Sequence, residues 1–119
     1  MISFLKKYAL KFRYAFAGLF HGITHDHSIA LQCILAVLVM VVCCFLKLSK
    51  MEWICIVVMI ALVIAFEFMN SAIETIVDFV CPQYHESAKK IKDYAAAAVL
   101  VVSISAAVVG VIIIGGKLW

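Results

Sequence analysis

Apolar residues recur along this chain in four helical stretches, which differ in what fills the remaining positions. Over residues 1–23, Phe4, Leu5, Tyr8, Phe12, Ala15, Phe16 and Leu19 share one arc of a helical wheel, while Lys6, Lys7, Lys11 and Arg13 take the other side. That pattern predicts an N-terminal amphipathic helix lying in a membrane interface, so that 1–27 form a surface helix and turn. From about 29 to 46 runs an 18-residue apolar segment broken only by Gln32, just long enough to cross a bilayer. Lys47, Ser49 and Lys50 make a polar turn, Trp53 sits where an interfacial aromatic belongs, and a second membrane helix is predicted over about 53–80. At 1.5 Å per residue it measures roughly 42 Å against an apolar core of about 30 Å, so its last turns must emerge. Cys81-Pro82 ends it, since proline disfavours helix in the residue before it. A loop, Gln83 to Glu86, and a charged stretch with Lys89, Lys90, Lys92 and Asp93 lead into a third span over about 95–114, anchored by Lys117 and Trp119. The expected fold is a single all-α integral membrane domain over 1–119, one surface helix and three transmembrane helices.

The stretch Glu67–Asp78, EFMNSAIETIVD, departs from the apolar pattern. Glu67, Asn70, Ser71, Glu74 and Asp78 recur at offsets of three and four, forming one polar stripe about 100° wide on an otherwise apolar helix. Intramembrane carboxylates mark function by default. Three short spans cannot by themselves keep three carboxylates off lipid, so subunit packing is expected, and Ala95–Ala98, Ser103, Ser105, Ala106 and Ala107 permit close helix approach.

Composition agrees with a membrane protein: at 67% hydrophobic and 14% charged, the chain has more apolar surface than a soluble core of this size buries. The first apolar run begins too late and runs too long for a cleavable signal peptide, so no processing is expected. Five cysteines lie in or beside apolar runs without CxxC spacing and read as small apolar fillers. The net charge of +3 fits contact with anionic lipid, and no nucleic acid partner is expected. With the N-terminus inside, seven of the Lys and Arg residues face the cytoplasm and three, Lys47, Lys50 and Lys117, face outward, which favours that topology.

That topology gathers Asp26, the Glu67–Asp78 stripe, the Tyr84–Glu86 loop and Lys92-Asp93 on one cytoplasmic surface. His21 and His25 stand four apart beside Asp26 and His27, yet lack the further ligands of a zinc or iron site. Asp26 is the only N-terminal carboxylate and suits a hard cation such as Mg²⁺. Carboxylates for Mg²⁺, a lysine for phosphate oxygens, an asparagine for positioning and a spare carboxylate as base are what phosphoryl transfer requires. A carboxylate-lined transporter, or a non-enzymatic small membrane protein, would use the same stripe, and spacing leaves these readings open. No GxxxxGK[ST] loop and no protein-kinase signature is present.

The run E-x-x-N-S-A-I-E-x-x-V-D from Glu67 to Asp78 closely resembles the signature of the prokaryotic diacylglycerol kinase and undecaprenol kinase family. Tyr84-His85, Lys92-Asp93 and the Tyr14-to-Gly18 region are similar too, as are the length and the three-span layout. The resemblance implies a homotrimeric bacterial plasma-membrane enzyme, its active site cytoplasmic, that transfers the γ-phosphoryl of MgATP to a lipid hydroxyl. It makes Glu67 the general base, Asn70 its positioning residue, and Glu74 a magnesium ligand. Asp26 stands where the family usually carries a glutamate that shares magnesium and contacts ATP. Lys92 and Asp93 contact nucleotide, and Tyr14, Gln83, Tyr84 and His85 join them. Ala95 and Ala96 stand where some members place a further polar side chain. The compact chain and its KKIKD run are more similar to the undecaprenol kinases, with diacylglycerol kinase, making phosphatidic acid, the alternative.

Overall fold

A computed structural model describes residues 1–119, and all of its regular structure is helical: α1 Ile2–His25, α2 His27–Phe45, α3 Lys50–Val80 and α4 Glu86–Leu118. The breaks between helices have local causes. Asp26 leaves the helical region with φ −104° and ψ 116°, and its carboxylate accepts from the backbone N–H of Ile29 at 3.1 Å, so one residue ends α1 and caps α2. Ser49 opens α3 through a capping box: its hydroxyl accepts from the Glu52 amide at 3.2 Å and the Glu52 carboxylate accepts from the Ser49 amide at 2.8 Å. That box sets the start of α3 at Lys50, three residues ahead of the start expected from the aromatic at Trp53. His85 caps α4, its Nδ1 accepting from the Ser87 amide at 3.0 Å. With no breaker between Glu86 and Ala95, α4 begins well before the apolar run, and Lys89, Lys92 and Asp93 ride on the helix itself.

α2, α3 and α4 are each long and apolar enough to cross a membrane. They run alternately up and down, and polar ties hold both ends. At one end Ser71 reaches Asp26, Gln32 reaches Glu67, and Lys92 reaches Asp78. At the other Lys117 pairs with Glu52 at 3.0 Å, beside a small apolar cluster of Cys43, Ile56 and Ile113. α1 joins the first end and projects from it. Its side chains are exposed along its length apart from the joint with α2, where Asp26 is half-buried, and Gly22 is its only buried residue. The extents of 51 × 47 × 22 Å and a radius of gyration of 17.8 Å follow from that projection, where a compact chain of this length would give about 13–14 Å.

Only 10 of the 119 residues are buried, so the large side chains that a soluble protein would hide face outward along the spans. That is the expected distribution when lipid or neighbouring chains serve as the solvent.

Gly22 permits the joint between α1 and α3. A Cβ there would lie 2.3 Å from Cε1 of Phe68 and 3.3 Å from Cδ1 of Ile29, inside van der Waals contact. Gly22→Val is therefore expected to lower stability in detergent by about 1–3 kcal/mol, the usual range for overpacking, read as a fall in the thermal midpoint.

Candidate active site

The polar stripe of α3 is divided among different partners. Glu67 is buried, 6% exposed, and its Oε1 accepts from Nε2 of Gln32 on α2 at 3.4 Å. One turn on, the Ser71 hydroxyl donates to Oδ2 of Asp26 at 2.5 Å, tying α3 to the α1–α2 elbow. Nδ2 of the half-buried Asn70 donates to Oε1 of the exposed Glu74 at 3.3 Å. At the end of the helix Asp78 pairs with Lys92 of α4. Polarity thus grades along the axis, from one buried carboxylate to an exposed ion pair.

Asp26 stands outside the spans, and both its oxygens are engaged. The Ser71 hydroxyl, ahead of the Ile29 and Ser28 amides and the adjacent His27, holds its carboxyl below the usual carboxylate range, against the opposing effect of burial. The stabilisation from this tie is complete above the ordinary carboxylate pKa and is lost as pH falls through the lowered value.

The other sequence-predicted residues are spread more widely. Asp93 pairs with Lys89 one turn earlier at 2.6 Å rather than with the stripe. Tyr84 is 82% exposed in the α3–α4 loop, where the carbonyl of Gln83 accepts from the Cys81 thiol at 3.4 Å and His85 is occupied as a cap. Tyr14 is 69% exposed on α1, twelve residues from Asp26 or about 18 Å along the helix, and a single chain does not bring it to the carboxylates. The rings of His21 and His25 stack at 4.3 Å, and His25 Nδ1 engages the Thr24 hydroxyl at 2.8 Å.

The donor set suits a hard cation. Magnesium in phosphoryl-transfer sites is held by one or two carboxylates with the substrate phosphates supplying the rest. No three acidic, histidine or cysteine side chains converge in one chain, but the Glu74 carboxylate accepts from Nδ2 of Asn70, and the other end of that amide, Oδ1, is a buried oxygen with no hydrogen-bond donor. The Asp26 carboxylate, with acceptor capacity for about four donors, is left with a free lone pair after the Ser71, Ile29 and Ser28 contacts.

Comparison with known proteins identifies the family. The sequence profile described as prokaryotic diacylglycerol kinase matches residues 13–114. The chain belongs to the prokaryotic diacylglycerol kinase family. A diacylglycerol kinase of Synechocystis is 34% identical over 102 residues, covering 85% of this chain and 58% of the relative. One from Haemophilus influenzae is 32% identical over 89 residues, 75% of each chain. An undecaprenol kinase of Bacillus subtilis is 38% identical over 78 residues, 65% of this chain and 63% of the relative. The chain thus spans less than two thirds of the Synechocystis and Bacillus proteins. The family and the names of these relatives are those of lipid kinases, transferases of a phosphoryl group.

Within the prokaryotic diacylglycerol kinase match lies every candidate residue from Tyr14 to Asp93. Three partners were not assigned to the site from sequence. Ser71 and Asp78 stood in the stripe, but their mates Asp26 and Lys92 lie 45 and 14 residues away and were invisible to spacing. Gln32 carried a signal, as the one polar interruption of an apolar run.

Proposed function

We propose that the protein is a lipid kinase of the plasma membrane that transfers the γ-phosphoryl of MgATP to the hydroxyl of a membrane lipid, undecaprenol before diacylglycerol. The observation that carries this reading is the order of groups at one end of the bundle. An apolar cleft of about 610 Å³ between α2, α3 and α4 reaches Gln32, whose amide holds Glu67; Asn70 and Glu74 follow, then Lys92 with Asp78. A lipid chain seated among apolar side chains would present its hydroxyl at the buried carboxylate, and a nucleotide would lie against the polar end.

Glu67 takes the hydroxyl proton on its free carboxylate oxygen as the lipid oxygen bonds to the γ-phosphorus and the bond to ADP breaks. Asn70 orients the acceptor. Glu74 and Asp26 would hold Mg²⁺, which supplies neutralising charge on the phosphate oxygens. Lys92 and Asp93 bind nucleotide, together with Tyr14, Gln83, Tyr84 and His85. Because Tyr14 lies remote from the carboxylates in one chain, the complete site is composite, in a homotrimer with the N-terminus and the site cytoplasmic and α1 lying in the interface. The excess of basic residues on that side and the unburied apolar faces support this arrangement. Chemical crosslinking of an active preparation should show trimers; monomers alone would sink the composite site.

Lys92 separates binding from stability. Its pair with Asp78 is partly exposed, and such pairs contribute about 0–1 kcal/mol. Lys92→Met is expected to raise KM for MgATP roughly tenfold with a thermal midpoint close to wild type, through loss of one charge-assisted phosphate contact.

The preference for undecaprenol rests on the KKIKD run; the relatives carry both substrate names. The test is transfer of labelled γ-phosphate to undecaprenol and to diacylglycerol in mixed micelles. Faster transfer to undecaprenol supports the preference. Faster transfer to diacylglycerol reverses it with the site intact. No transfer to either by a folded protein refutes the kinase reading.

A further inference from the structure

Gln32 lies on the packing seam of α2. Ile29, Gln32, Ala36, Val39 and Cys43 follow one another at offsets of three, four, three and four, and Ile29 and Cys43 at the ends of the series are buried. An apolar residue would pack there at no polar cost, since an amide without a partner in hydrocarbon is strongly disfavoured. The partner is Glu67: Nε2 of Gln32 donates to Oε1 at 3.4 Å, from a helix that carries no other candidate donor side chain at that depth. Glu67 is the only buried ionisable side chain of the α3 stripe, and a glutamate with three free torsions on an apolar helix has no other fixed anchor here.

We propose that Gln32 is the positioning residue for the Glu67 carboxylate, holding Oε1 through its amide so that Oε2 is directed to the acceptor hydroxyl. This rests on the reading of Glu67 as the base. The chemistry of the donor matters. A lysine or arginine at this position would form an ion pair and weaken Glu67 as a proton acceptor, whereas a neutral amide fixes the carboxylate while leaving its charge available. Gln32 also lines the apolar cleft, so the same side chain stands between the lipid-accommodating space and the base. Its role is orientation: a base held in a near-attack geometry gains rate without any change in ground-state affinity.

The experiment compares kcat and KM for Gln32→Met, Gln32→His and Glu67→Gln, with thermal midpoints in detergent. Gln32→Met keeps the length and removes the donor; it leaves the buried Glu67 carboxylate without its partner, so the thermal midpoint is expected to fall modestly with the fold retained. Its kcat should fall roughly tenfold or more, with KM for lipid and for MgATP within about twofold of wild type. Gln32→His restores an N–H donor and should recover most of that loss, which a merely structural role would not produce. Wild-type kcat in Gln32→Met, equal defects in the methionine and histidine variants, or a loss confined to KM for lipid would each overturn the positioning role. A nearly inactive Glu67→Gln beside a fully active Gln32→Met overturns it while leaving the base intact. An active Glu67→Gln overturns the base itself, and the positioning role with it.

Discussion

Glu67→Gln is expected to slow phosphoryl transfer by about 10²–10⁴-fold, the range that a positioned general base contributes, while the protein remains folded and binds MgATP normally. Glutamine keeps the length and shape of the side chain, and its carbonyl still accepts from Gln32, so the packing seam between α2 and α3 survives. What disappears is the ability to take a proton. The substitution also removes a charge from a buried position, where an ionised carboxylate is costly, so the thermal midpoint should be equal to or above that of the wild type. A rise or no change in stability alongside a collapse in rate separates a catalytic group from a structural one. A rate within about threefold of wild type would remove Glu67 from the chemistry.

The second large effect is expected at Glu74. Its side chain is exposed and its one hydrogen bond comes from Asn70, so Glu74→Ala should cost little stability. Loss of a magnesium ligand should nonetheless lower transfer by at least about 10²-fold at ordinary Mg²⁺ levels, with partial recovery at high Mg²⁺, because the ion contributes through charge on the phosphate oxygens. Titration with Mn²⁺ as a paramagnetic probe in the presence of ATP reads the site directly and should show weaker ion binding in the variant. His25→Ala serves as the counter-test: its ring is tied to Thr24 and stacked on His21, away from the stripe, and its activity should match wild type. Unchanged metal dependence in Glu74→Ala would remove Glu74 as a ligand, and loss through His25 instead would reassign the cation to the histidine segment.

The three carboxylates differ in what the structure adds to them. Glu67 and Glu74 were both apparent as carboxylates in an apolar helix, with no need of a partner to mark them. Asp26 was apparent as a hard-cation ligand too, and only the structure shows that the same carboxylate caps α2. Here it accepts from the Ile29 amide and from Ser71, so the shorter side chain serves the joint as well as any ion. Lys92 and Asp93 were adjacent in sequence and assigned together, yet on a continuous α4 they face different ways, Lys92 toward Asp78 and Asp93 back toward Lys89. Successive residues on a helix are about 100° apart, so a neighbouring pair cannot share one contact.

The sequence by itself determined the class of the protein, the three spans, the polar stripe of α3 and, through the Glu67–Asp78 motif, the family. Those follow from local periodicity and from residue types that lipid does not tolerate without a reason. The tertiary structure decided the partners: Gln32 for Glu67, Asp26 for Ser71, Lys92 for Asp78, and Phe68 over Gly22. Each joins residues of different elements, and which of them meet depends on how far one helix is rotated and shifted against another. That choice is made by the packing of whole helix faces, and no spacing within a single helix encodes it.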